Sequence, residues 1–259
     1  WMKKQHRNII FLVELENDIA GKPFSRDSWN VTMEDKREPL SATSSTTSND
    51  EEERKKGPIK GVSKVFNSPD PFLREIMASR ELNHALLPTA YCFGTYFGHH
   101  QIVYNYVDGL NSAQYLYNLA FEAQGSPEYN QVMAKALVSA VSHTLSALFY
   151  LHSLGYVHGD IKEDNIIIDT EGIPHIIDLD LTRKVSLMAT YGTRGYVCPE
   201  MKGWVKGVVG KSSDFWSFGI VILRWSLSIS AGALDGKNAA QNRGRNDRKH
   251  FNMMRKWWP

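Results

Sequence analysis

A short polar segment held between two apolar runs constrains this chain more than any other feature. The segment, residues 158–165 (HGDIKEDN), contains acids, an amide and an ammonium. The apolar run before it, residues 147–152, has helical spacing, and the run after it, residues 166–168, is short and β-branched as in a buried strand. A second short apolar run, residues 174–177, ends at an acid. We therefore expect a helix, a polar loop and two neighbouring strands.

This order brings four polar side chains to one rim of a sheet. They comprise two carboxylates, an ammonium and an amide, contributed by Asp160, Lys162, Asn165 and Asp178. Hard cations prefer oxygen ligands, and phosphoryl oxygens are stabilised by positive charge. The pattern therefore predicts a site for Mg²⁺ and phosphate.

Four motifs in this order resemble the signature of the eukaryotic-type protein kinases. Residues 158–165 resemble the catalytic loop H-R-D-L-K-x-x-N, with Gly159 in place of the arginine. Residues 178–180 (DLD) stand where that family has D-F-G. Residues 192–200 (GTRGYVCPE) resemble the end of an activation segment, and residues 213–219 (SDFWSFG) resemble the start of the central C-lobe helix. The chain is identified as a divergent member of the protein kinase superfamily.

The resemblance implies an α+β fold of two lobes. Residues 1–107 would form a small β-rich N-lobe with one main helix, and residues 108–259 a larger helical C-lobe. The tail of the C-lobe is expected to be short or truncated, because only 45 residues follow Asp214 and residues 231–249 are polar and rich in Gly and Asn. Residues 37–57 are rich in Ser, Thr, Asp and Glu and have no apolar period, which predicts a disordered acidic insertion.

The chain departs from the family in the N-lobe. Protein kinases usually cover the ATP phosphates with a glycine-rich loop. Here Gly21 is the only glycine before Gly57, so no such loop is expected. The missing loop beside an otherwise intact site is similar to a group of secreted parasite kinases.

The resemblance also implies which N-lobe residues bind ATP. Residues 60–66 (KGVSKVF) match the V-A-I-K strand, which places Lys64 at the α- and β-phosphates; Lys60 is the rival. In the helix that follows, Glu75 is the expected partner of Lys64, and Glu81 is the alternative. A partly exposed pair of this kind would orient the ammonium rather than stabilise the fold.

The adenine site would lie where two further strands, residues 91–96 and 101–106, lead into a hinge. By the resemblance Tyr104 is the gatekeeper, Asn105 and Val107 offer backbone groups to adenine, and Ile167 forms the floor beneath it.

The catalytic roles implied by the resemblance follow from charge and position. Asp160 would accept or orient the proton of the substrate hydroxyl and has no evident structural duty. Lys162 would stabilise the transferring phosphoryl group, and Thr193 would help to position Asp160 and the hydroxyl. Asn165 and Asp178 would hold Mg²⁺. Three residues are expected to be architectural instead: His158, Glu200 and Asp214.

The expected function is transfer of the γ-phosphate of ATP, with Mg²⁺, to Ser or Thr of a protein substrate. Two other interpretations stay open. A pseudokinase or scaffold is suggested by the missing glycine loop, by Asp180 in the third position of D-F-G, and by Ser79 where kinases pack Leu or Met. Small-molecule phosphotransferases also carry H-G-D followed by Asn, although they lack the later motifs at residues 192–200 and 213–219.

Composition and charge limit the partners and the kinds of site that this chain is expected to have. The formal net charge of +2 does not call for a nucleic-acid partner. Cys92 and Cys198 are too few for a disulfide framework and lack zinc-site spacing. The longest apolar runs fall short of the ~20 residues of a membrane span, so none is expected. The oligomeric state is not indicated, and the compartment stays open between the cytoplasm and, if a leader has been removed, secretion.

Overall fold

The computed structural model describes residues 9–15, 59–96, 98–185, 192–200, 202 and 210–241. They form two compact units: residues up to Val107 together with Leu179–Thr182, and Asp108–Asp178 together with residues from Arg183 onward. The acidic insertion expected over residues 37–57 lies outside the described residues, and so does most of the segment in which a glycine loop would fall.

The first unit is an antiparallel sheet with one helix. In chain order its elements are β1 (Ile9–Leu15), β2 (Ile59–Phe66), α1 (Pro69–Glu81), β3 (Ala90–Tyr96) and β4 (His99–Asn105). The strand order is β1-β2-β4-β3, and every neighbouring pair is antiparallel. The two central strands, β2 and β4, therefore carry the residues most enclosed by the sheet.

Helix α1 follows from its start signal and its apolar period. Proline in the first turn suits a helix start, because the backbone N–H that proline lacks would have no partner there. The buried face of α1 carries residues at helical spacing: Phe72, Glu75, Ile76 and Ala78. Phe72 and Ile76 pack with residues of β2 and β4 in one hydrophobic cluster, completed by Phe66, Ile102 and Tyr104. The single acid on this face, Glu75, is thus pressed against the apolar side of the sheet.

The second unit is mostly helical. Its elements are β5 (Gly109–Asn111), α2 (Ser112–Ala123), α3 (Tyr129–Ser153), β6 (Tyr156–Val157), a 3₁₀ turn (Glu163–Asn165), β7 (Ile166–Asp169), β8 (Pro174–Ile176), β9 (Arg183–Lys184) and α4 (Lys211–Gln241). The strands form two small antiparallel sheets, β5-β7-β8 and β6-β9. The polar segment of residues 158–165 lies between β6 and β7.

The core of the second unit lies among its helices. Fully buried side chains come from α2, α3 and α4: Leu116, Leu148, Leu151, Val221 and Trp225. The indole Nε1 of Trp225 donates to Ser112 Oγ at 2.8 Å, so the largest buried side chain is also satisfied at its polar atom.

Helix α4 is longer than the sequence indicated. Residues 231–249 were expected to form a polar tail, yet α4 runs to Gln241. The reason is close packing on α2: a Cβ atom on Gly232 would lie 2.2 Å from the Tyr117 carbonyl oxygen. The Tyr117 hydroxyl also donates to Asp235 Oδ2 at 2.8 Å. Small residues that look like helix breakers are here the ones that let two helices approach.

Two helices are long and apolar enough to cross a membrane by length and composition alone. They are Tyr129–Ser153, which is α3, and Lys211–Lys237 within α4, each with a mean hydropathy of 1.4 over its most apolar window. The expectation that no segment spans a membrane is therefore not supported, because it rested on uninterrupted apolar runs. The same two helices carry four of the five core residues named above: Leu148, Leu151, Val221 and Trp225.

Candidate active site

One buried carboxylate binds the backbone at the start of the loop formed by residues 158–165. Asp214, at the start of α4, accepts the backbone N–H of His158 through Oδ2 at 2.9 Å and that of Gly159 through Oδ1 at 2.9 Å. His152 Nε2 lies 2.8 Å from the same Oδ2. Asp214 is 1% exposed, so these contacts replace water completely. The architectural role expected for Asp214 agrees with these contacts.

Asp160 is the centre of the loop. Its Oδ1 accepts both the backbone N–H of Thr193 at 2.9 Å and the Thr193 hydroxyl at 2.6 Å. Its Oδ2 accepts from Lys162 Nζ at 2.6 Å and from Asn165 Nδ2 at 3.2 Å. The expectation that Asp160 has no structural duty is wrong, because its carboxylate joins the loop to Thr193, 33 positions away.

Lys162 bridges the same two segments. Its ammonium also donates to Thr193 Oγ1 at 3.1 Å, so Asp160, Lys162 and Thr193 form a closed triangle of hydrogen bonds. The Lys162 side chain is 21% exposed and that of Asp160 is 10% exposed. A carboxylate, an ammonium and a hydroxyl are thus held together at a point that solvent still reaches.

A backbone hydrogen bond brings together the two residues expected to hold a metal, Asn165 and Asp178. The N–H of Ile177, next to Asp178, donates to the Asn165 carbonyl at 2.9 Å. The Asn165 amide nitrogen donates to the Asp160 carbonyl at 2.8 Å, which turns its amide oxygen to the other side. Among the described residues, Asp178 is the only non-glycine with positive φ (66°). Backbone strain of this kind concentrates at functional sites.

This donor set fits a hard cation. An amide oxygen and a carboxylate are ligands that Mg²⁺ accepts, with water and phosphate oxygens completing its shell. Across the part of the chain that the structure describes, no three His, Cys, Asp or Glu side chains converge as a protein-only metal site. The pair therefore suits a metal carried in with phosphate better than a dedicated protein cage.

A second link between the loop and residues 192–200 was not found by sequence reasoning. The Tyr196 hydroxyl donates to the buried carboxylate of Glu163, and Arg224 Nη1 lies 3.6 Å from the other oxygen of that carboxylate. Burial raises the pKa of Glu163, although the hydrogen bond from Tyr196 and the charge of Arg224 act in the opposite direction. Burial, and then the hydrogen bond to Glu163, raise the pKa of Tyr196. In the sequence, Glu163 lies three residues after Asp160, and Tyr196 lies three residues after Thr193. This equal spacing was the available signal for the second contact.

In the first unit, Lys64 pairs with Glu75 as expected. Lys64 Nζ lies 2.7 Å from Glu75 Oε2, and the side chains are 8% and 1% exposed. The expectation of a partly exposed pair is wrong, because both residues face the apolar cluster between the sheet and α1. The alternatives Lys60 and Glu81 are both exposed.

The expected hinge residues lie at the end of β4 and just after it: Asn105 is its last residue, and Val107 follows two residues later. The Asn105 N–H donates to the Thr89 carbonyl at 3.0 Å, and the Asn105 side-chain oxygen accepts the Thr89 N–H at 2.7 Å. The Thr89 N–H therefore binds the side chain of Asn105 and not its backbone carbonyl. Val107 is the last residue of the N-terminal stretch of the first unit, and Ile167 lies half-buried in β7 of the second unit.

The structure thus assembles two clusters of expected site residues. The first unit brings together Lys64 and Glu75 beside the strand that leads to Asn105 and Val107. The second unit brings together Asp160, Lys162, Thr193 and Asn165, with Asp178 following the backbone link to Asn165.

Comparison with known proteins agrees with this geometry. A family model of the protein kinase domain matches residues 44–256. The chain belongs to the protein kinase domain family. The two-lobed α+β fold expected from the motifs is confirmed: the sheet with one helix is the N-lobe of the kinase domain, and the helical unit is the C-lobe.

Relatives of this kinase domain include several kinds of kinase. A leaf rust 10 disease-resistance locus receptor-like protein kinase-like 1.3 from Arabidopsis thaliana is 30% identical over 160 residues, 59% of this chain and 22% of that protein. The serine/threonine-protein kinase BCK1/SLK1/SSP31 of Saccharomyces cerevisiae is 34% identical over 141 residues, 45% of this chain and 9% of its own length. A putative tyrosine-protein kinase, C03B1.5 of Caenorhabditis elegans, is 36% identical over 85 residues, 30% of this chain and 25% of its own length. This chain thus spans a quarter or less of each of these relatives.

Proposed function

We propose that this kinase domain transfers the γ-phosphate of ATP, with Mg²⁺, to the hydroxyl of a serine or threonine in a protein substrate. The observation that carries the proposal is the environment of Asp160. One of its carboxylate oxygens accepts a threonine hydroxyl, and the other accepts an ammonium and an amide. Phosphoryl transfer needs positioning and charge stabilisation more than covalent chemistry, and this cluster supplies both.

ATP and Mg²⁺, when bound, supply the transferable phosphoryl group and the cation that offsets its charge. Asn165 and Asp178 would hold the metal through an amide oxygen and a carboxylate. Lys64 would contact the phosphates. Asn105 and Val107 would meet the adenine through backbone groups, with Ile167 packing against the ring.

The remaining work belongs to three side chains of the second unit. Asp160 orients the hydroxyl of the substrate and accepts its proton. Thr193 holds Oδ1 of that carboxylate with two hydrogen bonds, so the position of Asp160 depends on residues 192–200 being in place. The Lys162 ammonium, 2.6 Å from Oδ2, adds positive charge where the phosphoryl oxygens would pass.

The choice of a serine or threonine hydroxyl rests on the catalytic loop. Lys162 occupies the position at which serine/threonine kinases keep a lysine. The relatives that resemble this chain include a serine/threonine kinase and a putative tyrosine kinase. The class of hydroxyl is therefore tested by experiment together with the reaction.

The test compares Asp160→Asn with Asp164→Asn, a matched loss of one acid from the same loop. Asp164 is exposed, whereas Asp160 is buried among its partners. Transfer of labelled phosphate to a generic protein substrate, followed by phosphoamino-acid analysis, is measured with the melting temperature of each variant. We expect Asp160→Asn to lower the rate by about 10²–10⁴, as for loss of a positioned acid–base group, and Asp164→Asn to change it little.

A second arm tests the metal. ATP should raise the melting temperature far more in Mg²⁺ than in EDTA, because only the metal complex uses Asn165 and Asp178. Nucleotide binding without transfer to any protein would favour a pseudokinase instead. Transfer to aminoglycosides or choline but not to protein would favour a small-molecule phosphotransferase.

A further inference from the structure

The Lys64–Glu75 pair has a third member. Glu75 Oε2 accepts from Lys64 Nζ at 2.7 Å, while Glu75 Oε1 accepts from the Tyr104 hydroxyl at 3.0 Å. Tyr104 is 6% exposed and Glu75 is 1% exposed. Both oxygens of a buried carboxylate are thus bound, one by a residue of β2 and the other by a residue of β4.

The strand register explains how one acid reaches two strands. Lys64 lies opposite Ile102, and Val62 lies opposite Tyr104, so Lys64 and Tyr104 are diagonal neighbours on one face of the sheet. That face carries the apolar cluster on which α1 packs. Glu75 enters from α1 and meets both donors there.

Ser79 extends the contact by one turn of α1. Its Oγ lies 2.8 Å from the Glu75 backbone carbonyl and 3.2 Å from the Tyr104 hydroxyl. Two hydroxyl groups have two protons, so only two of the three hydroxyl contacts can be hydrogen bonds at one time. The charged carboxylate is the strongest acceptor and takes the Tyr104 proton. Ser79 then donates either to the helix carbonyl or to Tyr104, and is the weaker member.

From this geometry we infer that Tyr104 is a positioning residue: its hydroxyl holds Glu75, and through Glu75 it sets the direction of the Lys64 ammonium. The inference rests on the proposed function, in which that ammonium contacts the ATP phosphates. The Lys64 ammonium has three N–H donors. Because Tyr104 holds Glu75 at Oε1, Glu75 accepts only one of these donors, through Oε2. Without the hydroxyl, Glu75 Oε1 is left buried without this donor and turns toward Lys64, which draws the ammonium away from the phosphates.

The test compares Tyr104→Phe, which removes only the hydroxyl, with Tyr91→Phe on β3 of the same sheet as the matched control. Calorimetry measures the affinity of the full chain for Mg²⁺·ATP and for adenosine, which has no phosphate. We expect Tyr104→Phe to weaken Mg²⁺·ATP binding about tenfold and to leave adenosine binding within about twofold. Ser79→Ala should have a smaller effect in the same direction, and Tyr91→Phe should change neither affinity.

Three results would overturn the inference. Equal losses for Mg²⁺·ATP and adenosine would mean that Tyr104 only supports the fold. A Tyr104→Phe variant that binds both ligands like Tyr91→Phe would show that the hydroxyl does not act on Lys64, while the proposed kinase function would stand. A wild-type chain that does not bind Mg²⁺·ATP would remove the proposed function as well as the inference.

A cycle with Glu75→Gln keeps the inference testable if Tyr104→Phe alone does not fold. The glutamine side chain of that variant carries no charge, so the loss of the tyrosine hydroxyl should be tolerated in that background. Since Tyr104 acts through the charge of Glu75, adding Tyr104→Phe to Glu75→Gln should change Mg²⁺·ATP affinity less than about twofold. A tenfold loss in this background would contradict a path through Glu75.

Discussion

The two lobes each hold a lysine–carboxylate pair, and the pairs differ in what surrounds them. Lys64 and Glu75 lie 2.7 Å apart with side chains 8% and 1% exposed, and Lys162 and Asp160 lie 2.6 Å apart with side chains 21% and 10% exposed. The first pair is enclosed between a sheet and a helix, and the second sits on a loop that solvent reaches.

The difference shows how a similar contact can serve two purposes. Breaking a buried pair leaves an uncompensated charge and is strongly destabilising, whereas exposed pairs contribute little to stability. The N-lobe pair is therefore part of the framework of that lobe. The C-lobe pair owes its place to backbone anchoring by Asp214 and to Thr193, which leaves its charges usable by a substrate.

The largest expected effect on stability is the loss of one member of the N-lobe pair. Lys64→Met should destabilise the chain by about 3–5 kcal/mol, because Glu75 would stay buried without its cation. Lys162→Met should cost less, about 1.5–3 kcal/mol for one charged hydrogen bond, because Asp160 keeps its bonds to Thr193 and Asn165. Urea unfolding followed by circular dichroism measures both.

The double variant Lys64→Met/Glu75→Met sharpens this comparison. Replacing a whole buried ion pair by apolar residues is often neutral or stabilising, so the double variant should recover most of the loss. Equal destabilisation by Lys64→Met and Lys162→Met would remove the proposed difference between the two pairs.

The second effect concerns the anchor of the C-lobe loop. In Asp214→Asn, the side-chain NH₂ would face a backbone N–H that the carboxylate now accepts. The charged hydrogen bond lost there is worth about 1.5–3 kcal/mol. Phosphoryl transfer should fall with stability, while Mg²⁺·ATP affinity should change little. Asp235→Asn on the same helix is the control, since its amide oxygen can still accept from Tyr117. An Asp214→Asn variant with normal turnover would show that the loop holds its shape without this carboxylate.

The smallest effect is a pH dependence that belongs to the C-lobe alone. Burial raises the pKa of Glu163 above its unfolded value of about 4.3, so the folded chain binds that proton more tightly. Glu163 therefore contributes fully to stability below about pH 4.3. This contribution is lost as the pH rises through the pKa of Glu163 in the folded chain. Glu163→Gln cannot ionise, and its amide oxygen can still accept the Tyr196 hydroxyl, so this loss should disappear.

Urea unfolding between about pH 4 and 8 measures this slope. Tyr196→Phe should steepen it, because the tyrosine hydrogen bond lowers the pKa of Glu163. Glu171→Gln on an exposed turn is the control and should leave the slope as in the wild type. A slope that is unchanged in Glu163→Gln would place the pH dependence on another group.

Much of the fold was predictable because its signals are local. The helical run expected at residues 147–152 forms the last part of α3, and the strand expected at residues 166–168 lies within β7. The expected strand at residues 60–66 begins one residue earlier. The extent of α4 was not predictable, because Gly232 and Gly236 are explained only by α2, the helix that they contact.

The sequence by itself determined the family and the order of the site residues, because motif spacing and apolar period are properties of neighbouring positions. It also paired Lys64 with Glu75, since both lie at fixed places in those motifs. Only the tertiary structure decided that this pair is buried, that Tyr104 binds its second oxygen and that Tyr196 binds Glu163. These contacts join residues 29 and 33 positions apart, and which side chains meet at such distances depends on strand register and helix packing.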